Sequence, residues 1–181
     1  MSVRGVGRGR IARAGVAGLV VATVATVATV SRSATASETA SATLCEPGEP
    51  VRFACTMART GKLVSICEGP RHLVYRFGAP GRVELRLPDE KAPSAPHLYH
   101  ERFGESQTKG VAFPRGAYAY VVTHFVGGRP VVEELAISVQ RDGQPVALLK
   151  CAARPAPVGD LPALFERLRS EGMRVVEPGA R

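Results

Sequence analysis

From residue 51 onward, apolar side chains recur mostly at every second position, in short runs separated by turn residues. A period of two is that of a strand with one face buried. Val51, Phe53, Cys55 and Met57 share one face of a first run, and Arg59 to Lys62 form a turn. Leu63 to Cys67 is the return strand, and Glu68, Gly69 and Pro70 break it. His72 to Phe77 and Arg82 to Leu87 flank the turn Gly78 to Gly81 and form the clearest hairpin. Val83, Leu85 and Leu87 point one way, and Arg82, Glu84 and Arg86 the other. Arg76 is placed to pair with Glu84 across this hairpin.

Residues 88 to 108 are polar and contain Pro88, Pro93 and Pro96. They read as a long loop with a short anchor at Leu98, Tyr99 and Phe103, and loops of such length often carry function. Four further strands follow: Lys109 to Phe113, Ala117 to Val126, Val131 to Gln140 and Val146 to Cys151. Pro114 to Gly116, Gly127 to Pro130 and Arg141 to Gln144 supply the turns. After residue 151 the period changes. Residues 152 to 159 are a Pro-rich linker, and Asp160 caps a helix from Leu161 to Glu171 that Gly172 stops. Leu161, Leu164, Phe165 and Leu168 make one face of that helix apolar. The expected fold is all-β: a small antiparallel barrel or sandwich of about eight short strands with one C-terminal helix packed on it.

The N-terminus follows a different pattern. Residues 1 to 36 hold five Arg and no acid, and Ala14 to Val30 is a continuous run of small and apolar residues. Ala34-Thr35-Ala36 has the form of a cleavage site, so residues 1–36 read as an export signal. Membrane contact is then expected only through this segment if it stays uncleaved. The net charge of +8 changes meaning with it: beyond residue 36 there are 19 basic and 16 acidic side chains, a net charge of +3. A basic excess concentrated in an export signal gives no reason to expect a nucleic-acid ligand. The expected organisation is a signal peptide at 1–36, a flexible lead-in at 37–50, a disulfide-stapled β-domain at 51–151, the linker at 152–159 and the helix at 160–172. The expected compartment is periplasmic or extracellular.

All four cysteines, Cys45, Cys55, Cys67 and Cys151, lie beyond the signal. In an exported chain an even number favours disulfides, and four cysteines allow three connectivities. The preferred pairing is Cys55 with Cys67, across the first hairpin, and Cys45 with Cys151; Cys45 with Cys55 and Cys67 with Cys151 stays open. No cysteine pair has zinc-ligand spacing, so no metal is expected.

Phe53-Ala54-Cys55, Gly61-Lys62-Leu63-Val64-Ser65-Ile66-Cys67, Tyr75-Arg76-Phe77-Gly78 and Glu84-Leu85 before Pro88 occur in that order. Over about residues 45 to 151 this resembles a family of small exported bacterial proteins usually described as uncharacterised. The resemblance implies export and a β-rich module, and it brings no catalytic residue with it.

Candidate chemistry is sparse. Arg76, between Tyr75 and Phe77, and Arg115, at a turn, are candidate anion contacts. Tyr118 and Tyr120 share a strand face and are candidates for a stacking platform. His97, His100 and Glu101 lie in the long loop and are candidate binding residues for a metal, although His-x-x-His spacing lacks a third well-placed ligand. His124 and Glu133 flank one hairpin turn and are the best pair for a hydrolase. There is no nucleophile elbow, zinc-protease helix or dinucleotide fingerprint. No catalytic residue and no cofactor is assigned. The expected protein is therefore an exported, non-enzymatic binding or structural module of the cell envelope. Its expected partner is another protein or an envelope glycan, met by the 88–108 loop with Arg76 and Arg115. The alternatives are an envelope hydrolase using a His and a carboxylate, or a protein akin to exported lysozyme inhibitors.

Overall fold

A computed structural model describes residues 43–91 and 93–178 of the chain. The export signal expected at 1–36 lies outside them. Among the described residues there are ten strands and one helix: β1 (Val51–Thr56), β2 (Leu63–Glu68), β3 (Leu73–Ala79), β4 (Arg82–Leu87), β5 (His97–Phe103), β6 (Ser106–Arg115), β7 (Tyr118–Gly127), β8 (Val132–Arg141), β9 (Gln144–Lys150), α1 (Leu161–Ser170) and β10 (Val175–Val176). They form two sheets, β1-β2-β3-β4 and β10-β5-β6-β7-β8-β9, which do not close into a barrel. The fold is a β-sandwich. Within each sheet β1 to β4 and β5 to β9 pair antiparallel in chain order; β10 lies parallel to its neighbour, β5.

One core lies between the sheets. Phe53, Val64, Ile66, Tyr75 and Leu87 enter it from the four-stranded sheet, and Leu98, Val111, Phe113, Val122 and Ile137 from the six-stranded one. The apolar face of α1 joins the same core through Leu161, Leu164, Phe165 and Leu168. Asp160 starts the helix by accepting the backbone N–H of Ala163 at 2.9 Å, as the sequence predicts. Tyr75 is buried among these residues, its ring 5.3 Å from that of Phe113. Burial, the larger cause, and Tyr120 both push its hydroxyl pKa up.

Three expectations about the chain path are corrected. The 88–108 stretch is a loop only to residue 96: His97–Phe103 is a strand whose residues all pair with β6. Pro114 lies within β6, opposite Ala119, instead of ending it. Residues 37–50 are not a free lead-in from Thr43 onward. Leu44 is buried, its N–H donates to Ser65 Oγ at 2.9 Å, and the N–H of Glu68 donates to Pro50 O. The 152–159 linker is likewise tied down. Ala152 donates to Thr56 O, and Ala54 and Val158 exchange backbone hydrogen bonds. The chain thus leaves β9 in one sheet and runs along the β1 edge of the other.

Both cysteine pairings considered from the sequence are wrong. The disulfides are Cys45–Cys67 and Cys55–Cys151, with Cα–Cα distances of 5.5 and 5.8 Å. Strand parity is the reason. Cys55 lies opposite Val64 and shares its inward face, whereas Cys67 follows Ser65 on the outward face. Cys55 and Cys67 therefore lie on opposite sides of one sheet and cannot bond. Cys55 instead bonds Cys151, where the chain crosses between the sheets, and Cys67 bonds the segment on the outer surface.

Candidate functional site

The residues singled out from the sequence do not converge. Arg76 is 1% exposed and is no free anion contact. Its cross-strand neighbours are Ser65 and Arg86, not Glu84, which pairs with Lys62 and Arg82 instead. The guanidinium is held from above by the 43–50 segment. Nη2 donates to Glu46 Oε1 at 2.8 Å and to Glu49 Oε1 at 3.0 Å, and Nη1 donates to Glu49 Oε2. The hydrogen bond from Arg76 lowers the pKa of Glu49, and the charge of Arg86 adds to this.

Arg115 is half-exposed and lies 3.4 Å from Asp89. Tyr118 and Tyr120 form no open platform: Tyr120 packs on Tyr75 with ring centroids 5.9 Å apart, while Tyr118 lies under Arg141 at the rim. His97 and His100 are three residues apart on a strand and so face opposite sides. The Nδ1 of His97 is buried without a hydrogen-bond partner, beside a cavity of about 420 Å³ that it shares with Leu168 and Arg174. Burial, and then the charge of Arg174, lowers its pKa. His100 meets Glu177 at 3.4 Å and the ring of Phe165. His124 and Glu133 do meet, Nε2 to Oε2, at 3.6 Å. Glu133 is 71% exposed, so water competes for this surface contact. Cys45, Glu49 and Cys67 place donor atoms within 4.8 Å of one another. The two sulfurs are bonded together and offer no thiolate to a metal.

The principal concavity lies elsewhere, on the outer face of the six-stranded sheet. It is a groove of about 570 Å³. Cross-strand register lays out the sheet face that carries it. One row runs Glu101, Thr108, Phe125, Glu134, and the next runs Tyr99, Gly110, Thr123, Ala136, Lys150. A third runs His97, Ala112, Val121, Ser138, Leu148, and a fourth runs Pro114, Ala119, Gln140, Pro145. The middle of this grid holds Gly110, Ala112, Ala119, Val121, Thr123, Ala136 and Ser138. Larger side chains stand at its margins: Tyr99 and Glu101 on β5, Phe125 on β7, Leu148 on β9. Thr123, Ala136 and Ser138 line the resulting trough, while Ala112 and Val121 are buried.

The sheet bends in the same sense. β5 and β9 are four strand spacings apart, about 19 Å across a flat sheet. Residues of both strands wall the same groove, so this face is concave. At Gly110 a Cβ would stand 2.3 Å from Val122 O, so only glycine allows β7 to approach this closely. The polar groups of the trough are fixed. Thr123 Oγ1 donates to Ala136 O at 3.1 Å, and the Tyr99 hydroxyl donates to Glu101 Oε2 at 2.7 Å. Burial, and then that bond to the carboxylate, raises the pKa of Tyr99, so it remains a hydrogen-bond donor. Gln140 is a buried amide at the far end.

Sequence reasoning missed this groove because it followed the bulky face of each strand. The signal lies in the intervening positions: 110 and 112 on β6, 119 and 121 on β7, 136 and 138 on β8 are Gly, Ala, Val or Ser. A fully solvated strand face would carry charged residues at these sites.

All four cysteines are paired, which fits an oxidising, non-cytoplasmic compartment. Among the described residues no helix is long and apolar enough to cross a membrane. No family model matches the chain, and no curated protein or solved structure does either.

Proposed function

We propose that the protein is an exported binding module of the cell envelope whose ligand lies in the groove on the outer face of the six-stranded sheet. One observation carries the reading: strands β5 to β9 together wall a concavity of about 570 Å³ with a floor of small residues and fixed polar groups at its sides. Binding sites are concave, largely preformed and lined by apolar side chains with a few placed polar ones. The export reading rests on the N-terminal segment and is supported by the two disulfides.

The ligand surface is thus moved from the 88–108 loop to the sheet. Arg76 is already paired, and the second half of that loop is a strand, so neither is free to act as first expected. Ser138→Trp fills the groove without touching the sandwich core. Wild-type protein immobilised on resin should retain envelope components that the Trp variant does not, with both proteins melting alike. Equal retention by the two would rule the groove out as the ligand site.

A further inference from the structure

We infer that the groove receives a basic side chain, the lysine or arginine of an extended segment of a partner protein. The inference rests on the groove being a ligand site and names the chemistry that fills it. Charge distribution is the first ground. Two carboxylates, Glu101 and Glu134, line the groove, and none of the lining residues is a Lys, Arg or His. This is a local reversal: residues 37–181 carry more basic than acidic side chains. A phosphate or carboxylate entering here would meet the carboxylate of Glu101, and the one ammonium at the rim, Lys150, is already paired with Glu134.

Placement is the second ground. The row Glu101, Thr108, Phe125, Glu134 sets a carboxylate at each end with a hydroxyl and an aromatic ring between them. The end strands are three spacings apart, about 14 Å if flat, and the concave bend shortens that span. A cation over Phe125 can meet the ring face and at least one carboxylate. Glu101 is prepared for this. The Tyr99 hydroxyl fixes its Oε2 without cancelling its charge, and among the described residues no cationic side chain pairs with it. Glu134 is neutralised by Lys150 at the rim, which leaves Glu101 as the leading contact.

Shape is the third ground, and it favours a segment over a free amine. The groove continues beyond the acidic row to Leu148, Pro145 and Gln140, two to three rows away. Each row adds about 7 Å along the strands. A small amine would fill one end only. An extended segment with a basic residue at the acidic row reaches Leu148 with an apolar residue about four positions further on.

The probe is a capped pentapeptide with a lysine first and a leucine last, titrated calorimetrically into the protein. Matched peptides carry glutamate or glutamine for the lysine; 1,5-diaminopentane and an N-acetylglucosamine trimer complete the set. The lysine peptide should bind best, and its affinity should fall as salt rises. Glu101→Gln still accepts the Tyr99 hydroxyl and should weaken binding about fivefold. Phe125→Leu should weaken it about threefold. Glu105→Gln, in the β5–β6 turn, should leave it unchanged. Lysine and glutamine peptides of equal affinity, or Glu101→Gln without effect, would overturn the cation. Diaminopentane binding as tightly as the peptide would overturn the segment. Tight binding of the sugar trimer, indifferent to Glu101→Gln, would keep the groove as a site and overturn this inference alone. Equal envelope capture by wild type and Ser138→Trp would instead remove the groove reading beneath it.

Discussion

The two sheets of the sandwich share a core but treat their outer faces in opposite ways. On the four-stranded sheet the row Ala54, Ser65, Arg76, Arg86 lies under the 43–50 segment. That segment is bonded through Cys45, buries Leu44 and brings two carboxylates onto Arg76. On the six-stranded sheet the corresponding rows hold small residues, and Pro178 is the one residue of the C-terminal tail that reaches them among the described residues. Charge on the first face is internally matched and sealed. On the second, Lys150 matches Glu134 at the rim and, among the described residues, Glu101 is left without a cationic partner. The difference teaches that a conspicuous residue need not be a functional one. Arg76, between two aromatics, is the most site-like feature of the sequence, and it is a structural clamp.

The comparison can be broken at several points. The largest effect should come from the disulfides. Replacing Cys55 and Cys151 by Ser opens a 96-residue separation and should cost about 4–5 kcal/mol in urea unfolding. Replacing Cys45 and Cys67, 22 residues apart, should cost about 3 kcal/mol. If the second pair cost more than the first, the 43–50 segment would be more than a cover for one face.

Arg76→Met should come next, at about 3 kcal/mol, because it leaves the largely buried Glu49 without its hydrogen-bonded partner. The same clamp gives a pH dependence. The folded pKa of Glu49 lies below its ordinary value, so the unfolded chain takes up the proton first as pH falls. The clamp's stabilisation is therefore complete above the ordinary carboxylate range, near 4.5, and is lost as pH drops through the lower folded value. Acid unfolding curves of wild type and Arg76→Met should converge in that range. Curves that stay parallel down to pH 2 would contradict the assignment.

The smallest effect should be on the open face. Glu101→Gln and Ser138→Ala remove no core contact and should change stability by no more than about 0.5 kcal/mol. A loss of 2 kcal/mol from either would mean that the groove is part of the structural frame, like the opposite face.

Much of this architecture is legible in the sequence, and the reasons for the rest are physical. Period-two alternation marks β1 to β4, β7 and β8, because one side of each strand faces a continuous core, whereas β9 is legible from the turn before it and only its Leu149 is half-buried against that core. The helix is legible because Asp160 and the spacing of Leu161, Leu164, Phe165 and Leu168 agree. β5 is hidden because His100, Glu101 and Arg102 look like loop residues. They lie where a strand's end leaves the core, and a distant partner, Glu177, stands beside His100. The two residues of β10 are too few to carry a pattern at all. The cysteine pairing depended on which side of β2 Cys67 occupies, and applying strand parity to β2 would have removed the Cys55–Cys67 choice. The groove was hidden because it is made by small side chains, and sequence reading weights large ones.

The most direct test is to ask which outer face meets a ligand. Amide chemical shifts can be mapped while the lysine-containing pentapeptide is titrated in. Perturbations should cluster at Glu101, Thr108, Phe125 and Glu134, fading toward Leu148, with Ser65, Arg76 and Arg86 silent. Shifts centred on β2 to β4, with the groove unchanged, would contradict the account.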